Sequence, residues 1–340
     1  MNSSISASEP RSWRRLLALY AASVVALGTA AAALVLGVDP YGTGRLAWRA
    51  ERVVPDFGPR FSAVYLSRQA RFDTAIIGNS TIQLVDPARV SAASGKRVVS
   101  LTVPGSGPLE QLAIAEWFRT HHPAAAIRGF VFGIDETWCE ADGELRLSNP
   151  FPFWLYSASV AEYAANMMSL RSVNAVVKEA KLSFRPSPPR PHRTDGYNDY
   201  EADRVWKADA VHRLLGGFKQ AFAAEPAVTN DDGTVTAFAA FPRLGDFLSR
   251  LPARVPVVLV LPPRLREAMP KTGRAAAIER ACQAETVALA EGRPYTHLLD
   301  FLQRPEIMDD ETNFWDDIHY RAPVARMIEA EIAAAFRDLP

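Results

Sequence analysis

The sequence predicts an α/β fold: a three-layer α/β/α sandwich around a five-stranded, mainly parallel sheet, preceded by a transmembrane helix. Three observations predict the sandwich. Short apolar runs stopped by Gly, Asp or Pro recur along the chain, as in strands buried on both faces of a parallel sheet. Amphipathic helical patterns separate the later runs. Strands alternating with helices pair in parallel through right-handed crossovers. A chain of 340 residues is long enough to bury a substantial core.

The N-terminus is read first. Arg11, Arg14 and Arg15 precede an uncharged apolar run from Leu16 to Val38, which ends at Asp39-Pro40. A helix of that length crosses a hydrocarbon core of ~30 Å. Residues 1–15 are then a cytoplasmic tail, 16–38 an uncleaved anchor and 39–72 a juxtamembrane connection, with the main domain, 73–340, beyond it. Ala30-Ala31-Ala32 offers a competing cleavage pattern, although signal peptides usually have shorter apolar regions. Arg45, Arg49 and Arg52 near the far end weaken the charge asymmetry that sets orientation.

Five strands follow. They are expected at Asp73–Gly78, Arg97–Leu101, Arg128–Ile134, Val255–Leu261 and Thr296–Phe301. A Gly-rich turn, Pro104-Gly105-Ser106-Gly107-Pro108, leads from the second strand into a helix from Leu109 to about Thr120. Later helices are expected over Phe238–Arg250, Gly273–Glu291 and Ala322–Phe336. From Cys139 to about Thr236 no buried strand is evident, although Val160 to Lys181 has a helical pattern. Such an insertion after the third strand falls at the carboxyl edge of the sheet, where open α/β folds bind ligands. It reads as a lid or substrate wall, or else as an irregular surface excursion.

Composition excludes some functions. Lys plus Arg number 38 and Asp plus Glu 38, so no net field draws the chain to nucleic acid. Two cysteines, Cys139 and Cys282, cannot build a disulfide scaffold or a Cys-rich metal site. They read as buried free thiols, with a single bridge as the alternative. No His-Glu-x-x-His or Cys-x-x-Cys pattern occurs, so neither a metal nor another cofactor is expected. His121 and His122 read as exposed residues capping a helix C-terminus.

The chemistry centres on two distant stretches. Gly78-Asn79-Ser80 follows the first strand and precedes Ile82-Gln83-Leu84, read as the start of a helix. Nucleophilic serines are displayed at such strand-to-helix turns. Near the C-terminus Asp316 stands three residues before His319. A carboxylate so placed can fix an imidazole's tautomer and steady the imidazolium. Ser80 as a helix cap is the blander meaning of the first motif. Trp138 and Trp315 lie next to motif ends, within reach of a sugar ring or packed in the core, and Asn79 is a further candidate contact.

Gly-Asn-Ser after strand one, a Gly turn after strand two, Gly-x-Asp after strand three and Asp-x-x-His near the end together resemble the SGNH/GDSL hydrolase superfamily. The anchor followed by Asp39-Pro40-Tyr41-Gly42 is similar to that of anchored bacterial members among cell-envelope and exopolysaccharide proteins. The resemblance covers roughly Thr74 to Ala335 apart from the insertion. It implies Ser80 as nucleophile, His319 as general base and then acid, Asp316 as its orienter, and the N–H groups of Ser80 and Gly105 in an oxyanion hole. It further implies ester hydrolysis or acyl transfer on an acylated glycan or exopolysaccharide, with the domain on the periplasmic side of a bacterial inner membrane. A transferase would also need a polytopic membrane acyltransferase as partner. Asp135 stands where the superfamily supplies an Asn donor to the oxyanion. An ionised carboxylate there only accepts hydrogen bonds, whereas a protonated one could donate. The competing reading is therefore a catalytically degenerate anchored scaffold that binds glycan or assembly partners.

Overall fold

The computed structural model describes residues 10–45, 57–140, 145, 150–184, 193–213, 217 and 237–338. Arg49, Arg52, His192 and the Pro-rich stretch from Arg185 to Pro191 lie outside them. The chain divides into two compact units: residues 1–55 with 157–187, and residues 56–156 with 188–340.

The first unit is built on helix α1, Pro10–Val38. Its 26 residues from Trp13 to Val38 are long and apolar enough to cross a membrane. Its C-terminal end is buried, and there the motif Asp39-Pro40-Tyr41-Gly42 acts structurally. One Asp39 oxygen accepts from the Thr43 N–H at 3.0 Å, the Thr43 hydroxyl at 2.9 Å and the Tyr163 hydroxyl at 3.0 Å. The other accepts from the Gly44 N–H. Two helices from the insertion, Val160–Met167 and Leu170–Phe184, pack on α1. The helical part of the expected lid thus belongs to the unit built on α1. The physical reason is that its apolar residues Tyr163, Met167 and Ala175 need a partner, and α1 supplies one.

The second unit holds a five-stranded, all-parallel sheet with flanking helices. The strands are β1 (Thr74–Ile77), β2 (Val98–Ser100), β3 (Gly129–Gly133), β4 (Val257–Leu261) and β5 (Thr296–Asp300), in the order β2-β1-β3-β4-β5. All five lie within the expected stretches. The first four are buried along their whole length, which is why they read as unbroken apolar runs. Helices α2 (Pro59–Leu66), α3 (Pro87–Ser94) and α4 (Pro108–His121) come early, and Ala240–Ser249, Gly273–Glu291 and Ala322–Asp338 follow. Val131 joins Val90, Ile328 and Ile332 in one core cluster. Its neighbours Phe130 and Phe132 point the other way and meet Phe247 at ring distances of 5.4 and 5.7 Å.

Three expectations are corrected. Ile82-Gln83-Leu84 form consecutive turns rather than a helix, and helix α3 starts only at Pro87. Asp86 caps it by accepting from the Ala88 N–H, and the fixed φ of Pro87 favours that first helical position. Cys139 and Cys282 are joined in a disulfide, their Cα atoms 5.4 Å apart, so they are not free thiols. The fold brings the 3-10 turn after β3 against helix Gly273–Glu291, which local sequence does not reveal. His122 is buried, stacked on Phe118 with Nδ1 3.0 Å from the Phe118 carbonyl, whereas His121 is exposed as expected.

Candidate functional site

The chain runs from β1 outward to β2 and then returns to β3 on the other side of β1. Loops leaving β1 and β3 therefore part at a topological switch point, where the carboxyl ends of the strands open a crevice. Ser80 leaves β1 there and Asp135 leaves β3. Gly78 lets the chain turn so tightly. A Cβ on it would sit 2.5 Å from the Ile82 Cγ2 atom, and one on Gly133 would sit 2.9 Å from the same atom. Both glycines thus make room for one isoleucine, which packs the Ser80 turn onto the strand ends.

The second stretch is a short closed loop. Phe314 and Tyr320 form an antiparallel bridge, and the Trp315 N–H donates to the His319 carbonyl at 2.8 Å. Within it, one Asp316 oxygen accepts from the backbone N–H groups of Ile318 at 3.0 Å and His319 at 2.7 Å. The other oxygen lies 2.7 Å from His319 Nδ1, and His319 Nε2 lies 2.8 Å from Ser80 Oγ. A carboxylate can only accept, so Nδ1 carries the proton and Nε2 accepts from the Ser80 hydroxyl. Burial pushes the Asp316 carboxyl up, but bonding to His319 and the two backbone N–H groups outweighs it and holds the group below its ordinary range. Ser80, His319 and Asp316 are all partly exposed. The structure brings the three together although 239 positions separate Ser80 from His319.

Beneath Ser80 runs a buried polar network. Asn79 is 5% exposed, and its amide donates to the Ser106 carbonyl at 3.2 Å and to Asp135 Oδ2. Its own Oδ1 accepts from the Thr81 N–H at 3.0 Å and the Thr81 hydroxyl at 2.9 Å. Asp135 Oδ1 accepts from the Thr137 hydroxyl at 2.6 Å and the Thr137 N–H at 3.2 Å. The Ser106 carbonyl also accepts from Gln111, whose Oε1 accepts from the indole of Trp138 at 3.0 Å. Asn79 and Trp138, candidate substrate contacts in the sequence, are thus enclosed and occupied within the fold, Trp138 taking the alternative of core packing. Burial first, then the charge of Glu136, raises the Asp135 carboxyl to about 6. Gly105 sits in the neighbouring turn with a left-handed φ of 64°. That turn is tied to the Ser80 turn by the Val103 N–H donating to the Gly78 carbonyl at 2.9 Å.

The insertion contributes residues that local pattern did not single out. The Tyr200 ring meets the His319 ring edge-on at 5.6 Å, and its hydroxyl donates to the Tyr320 carbonyl at 2.7 Å. Glu201 accepts from the Trp315 indole through one oxygen and from the Ala322 N–H through the other at 3.0 Å. Trp206 donates to the Phe314 carbonyl at 2.8 Å. Trp315, the remaining expected contact, is half-buried and held by Glu201. The aromatic cluster Tyr197-Asn198-Asp199-Tyr200 was the one signal in the sequence that could have marked this segment. Among the described residues no group of His, Cys, Asp and Glu is arranged to hold a metal ion.

A cavity of about 30 Å³ is lined in part by Thr81, Asp135, Cys139, Cys282 and Ile318, of which Thr81 and Ile318 adjoin Ser80 and His319 in the chain. Chemically, the hydroxyl–imidazole–carboxylate relay can raise the nucleophilicity of Ser80 by removing its proton as a bond forms. No protein-family model matches the chain, and no curated protein matches it.

Proposed function

We propose that the protein is a membrane-anchored esterase or O-acyltransferase of the SGNH/GDSL type, acting on acetyl or similarly small acyl esters of an envelope polysaccharide. One observation carries the reading: Ser80 Oγ, His319 and Asp316 form a continuous hydrogen-bonded relay with spacings of 2.8 and 2.7 Å. In the reaction, Ser80 Oγ attacks the ester carbonyl while His319 Nε2 takes its proton. The imidazolium then returns that proton to the departing sugar oxygen, leaving acyl-Ser80. Water or a second sugar hydroxyl, deprotonated by His319, releases the acyl group. The N–H groups of Ser80 and Gly105 would face the oxyanion.

Two features support the framing. Both faces of β3 are covered, Val131 meeting one set of helices and Phe130 and Phe132 another, as a three-layer sandwich requires. The Cys139–Cys282 disulfide suits an oxidising compartment, and with α1 as an inner-membrane anchor that compartment is the periplasm.

The second reading, a non-catalytic anchored scaffold that binds glycan in the cleft, rests on Asp135. Its carboxyl receives donors on both oxygens and offers none to an oxyanion while ionised. Covalent labelling with a fluorophosphonate separates the two. An adduct on the wild type and none on Ser80→Ala, read by intact mass, is the expected result. Absence of an adduct on folded wild type supports the scaffold instead.

A further inference from the structure

At the opposite, amino-terminal edge of the sheet lies an open groove of about 650 Å³. Arg71, Lys96, Arg97 and Arg193 line it, with one carboxylate, Asp195, and the apolar Phe72 and Val98. Arg97 leads into β2 and the segment Arg71–Asp73 leads into β1, so the length of β1, roughly 13 Å, separates the groove from the Ser80 turn.

Lys96 sets this groove apart from an ordinary basic surface. It is 5% exposed, its ammonium stands 5.0 Å from the centroid of the Phe336 ring, and among the described residues it has no hydrogen-bond or ion-pair acceptor. Burying a cation without an anion is costly. Burial, with the charge of Arg128 added, outweighs the attraction of Asp73 and holds the ammonium below its ordinary range. The nearby carboxylates are already occupied. Asp73 receives Arg97 at 2.9 Å, and Asp86 receives Arg193 at 2.6 Å. Asp195 receives Arg193 as well. Arg71 donates to the Thr194 carbonyl at 2.6 Å and has no carboxylate partner among the described residues. The groove thus holds at its base an ammonium with no hydrogen-bonded acceptor among the described residues, and guanidinium groups at its rim.

We propose that this groove is a second binding site, for a carboxylate-bearing segment of a glycan, with Lys96 pairing one carboxylate and Arg71 and Arg97 pairing its neighbours along the chain. The volume exceeds what a lone phosphate needs and falls within the ~300–1,000 Å³ of pockets that hold organic ligands. The glycan assignment rests on the polysaccharide-ester reading above. Holding one segment of a polymer here would raise the effective concentration of its esters at Ser80.

The test is calorimetric binding by the full chain in detergent micelles, with tri-galacturonate as acidic probe, maltotriose as neutral probe and glycerol phosphate as headgroup mimic. The expected result is that tri-galacturonate binds, weakens as salt rises and loses about 10-fold or more in Lys96→Met. Arg71→Ala, on an exposed residue, should weaken it several-fold, and Ser80→Ala should bind as wild type does. Lys96→Met should melt close to wild type, because Met keeps the buried apolar stem and the ammonium it removes has no hydrogen-bonded acceptor among the described residues. Equal binding of maltotriose, unchanged binding by both variants, or displacement by equimolar glycerol phosphate would overturn the proposal. Fluorophosphonate labelling of Ser80 on the same samples separates a failure of the groove from a failure of the esterase reading.

Discussion

Asn79 and Asp135 lock each other in orientation. The Asn79 amide nitrogen divides its hydrogens between Asp135 and the Ser106 carbonyl, while its oxygen is held by Thr81. Asp135 Oδ2 must therefore accept, and Oδ1 accepts from Thr137 in turn. The pair joins the ends of β1, β2 and β3 under the Ser80 turn. Asp135 reads best as the acceptor that positions this network.

That relationship decides what Asp135→Asn should do. An Asn at 135 must present its NH₂ either to the Asn79 amide or to the Thr137 N–H, so one donor loses its acceptor. Such a loss costs ~1–3 kcal/mol when buried. The pH dependence has a definite sign. The folded carboxyl is raised to about 6 from its ordinary 3.8, so the folded state binds the proton more tightly. Its contribution to stability is fully present below 3.8 and is lost as pH rises through about 6. Denaturation midpoints measured from pH 4 to pH 8 should show that falling component in wild type and not in Asp135→Asn. Identical pH profiles for the two proteins would contradict the burial argument.

Asp316→Asn tests the relay itself. The new Oδ1 can keep the Ile318 and His319 N–H bonds, so the loop should persist. Its NH₂ would face His319 Nδ1, which must then accept, leaving Nε2 protonated towards Ser80. Ser80 loses its base, and fluorophosphonate labelling should slow on the order of 10⁴-fold with little change in melting temperature. The Asp316 carboxyl lies below its ordinary range, so its stabilising contribution is present above 3.8 and fades only as pH falls below that. An assay run from pH 5 to 8 leaves it ionised throughout. A labelling rate within 10-fold of wild type would show that Asp316 does not orient the histidine.

The disulfide gives a third prediction. It ties the turn carrying Asp135 and Trp138 to helix Gly273–Glu291 across 143 positions. Cross-linking a loop that long constrains the unfolded chain by ~2–5 kcal/mol. A Cys139→Ser, Cys282→Ser double variant should melt well below wild type, and a reductant should lower wild type alone. Equal melting with and without reductant would mean that the bridge adds nothing to stability.

What the sequence made legible follows from where the physics is local. Four strands buried on both faces leave continuous apolar runs, so their positions could be read directly. Ser80 and the Asp316–His319 pair were legible because each motif sits in its own turn. Ile82 misled because it is apolar for a different reason, filling the space left by Gly78 and Gly133. The start of α3 is instead set by Asp86 and Pro87. The disulfide and the Asn79–Asp135 pair join residues 143 and 56 positions apart, and no local pattern records such a meeting.

Glu201 lies furthest from legibility and offers the most discriminating variant. It is separated by 114 positions from Trp315 and by 121 from Ala322, and it grips both ends of the loop that carries Asp316 and His319. Tyr200 and Trp206 hold the same loop through the Tyr320 and Phe314 carbonyls. Glu201→Gln retains one oxygen, so either the Trp315 indole or the N–H at the start of the C-terminal helix loses its acceptor. The helix end also loses a favourable negative charge worth ~0.3–1 kcal/mol. The loop should loosen without unfolding. The expected result is a several-fold slower labelling of Ser80, out of proportion to a melting shift of only a few degrees, while Glu201→Asp restores part of the rate. A rate that falls only as far as stability falls, with no rescue by Asp, would make Glu201 a structural residue and nothing more.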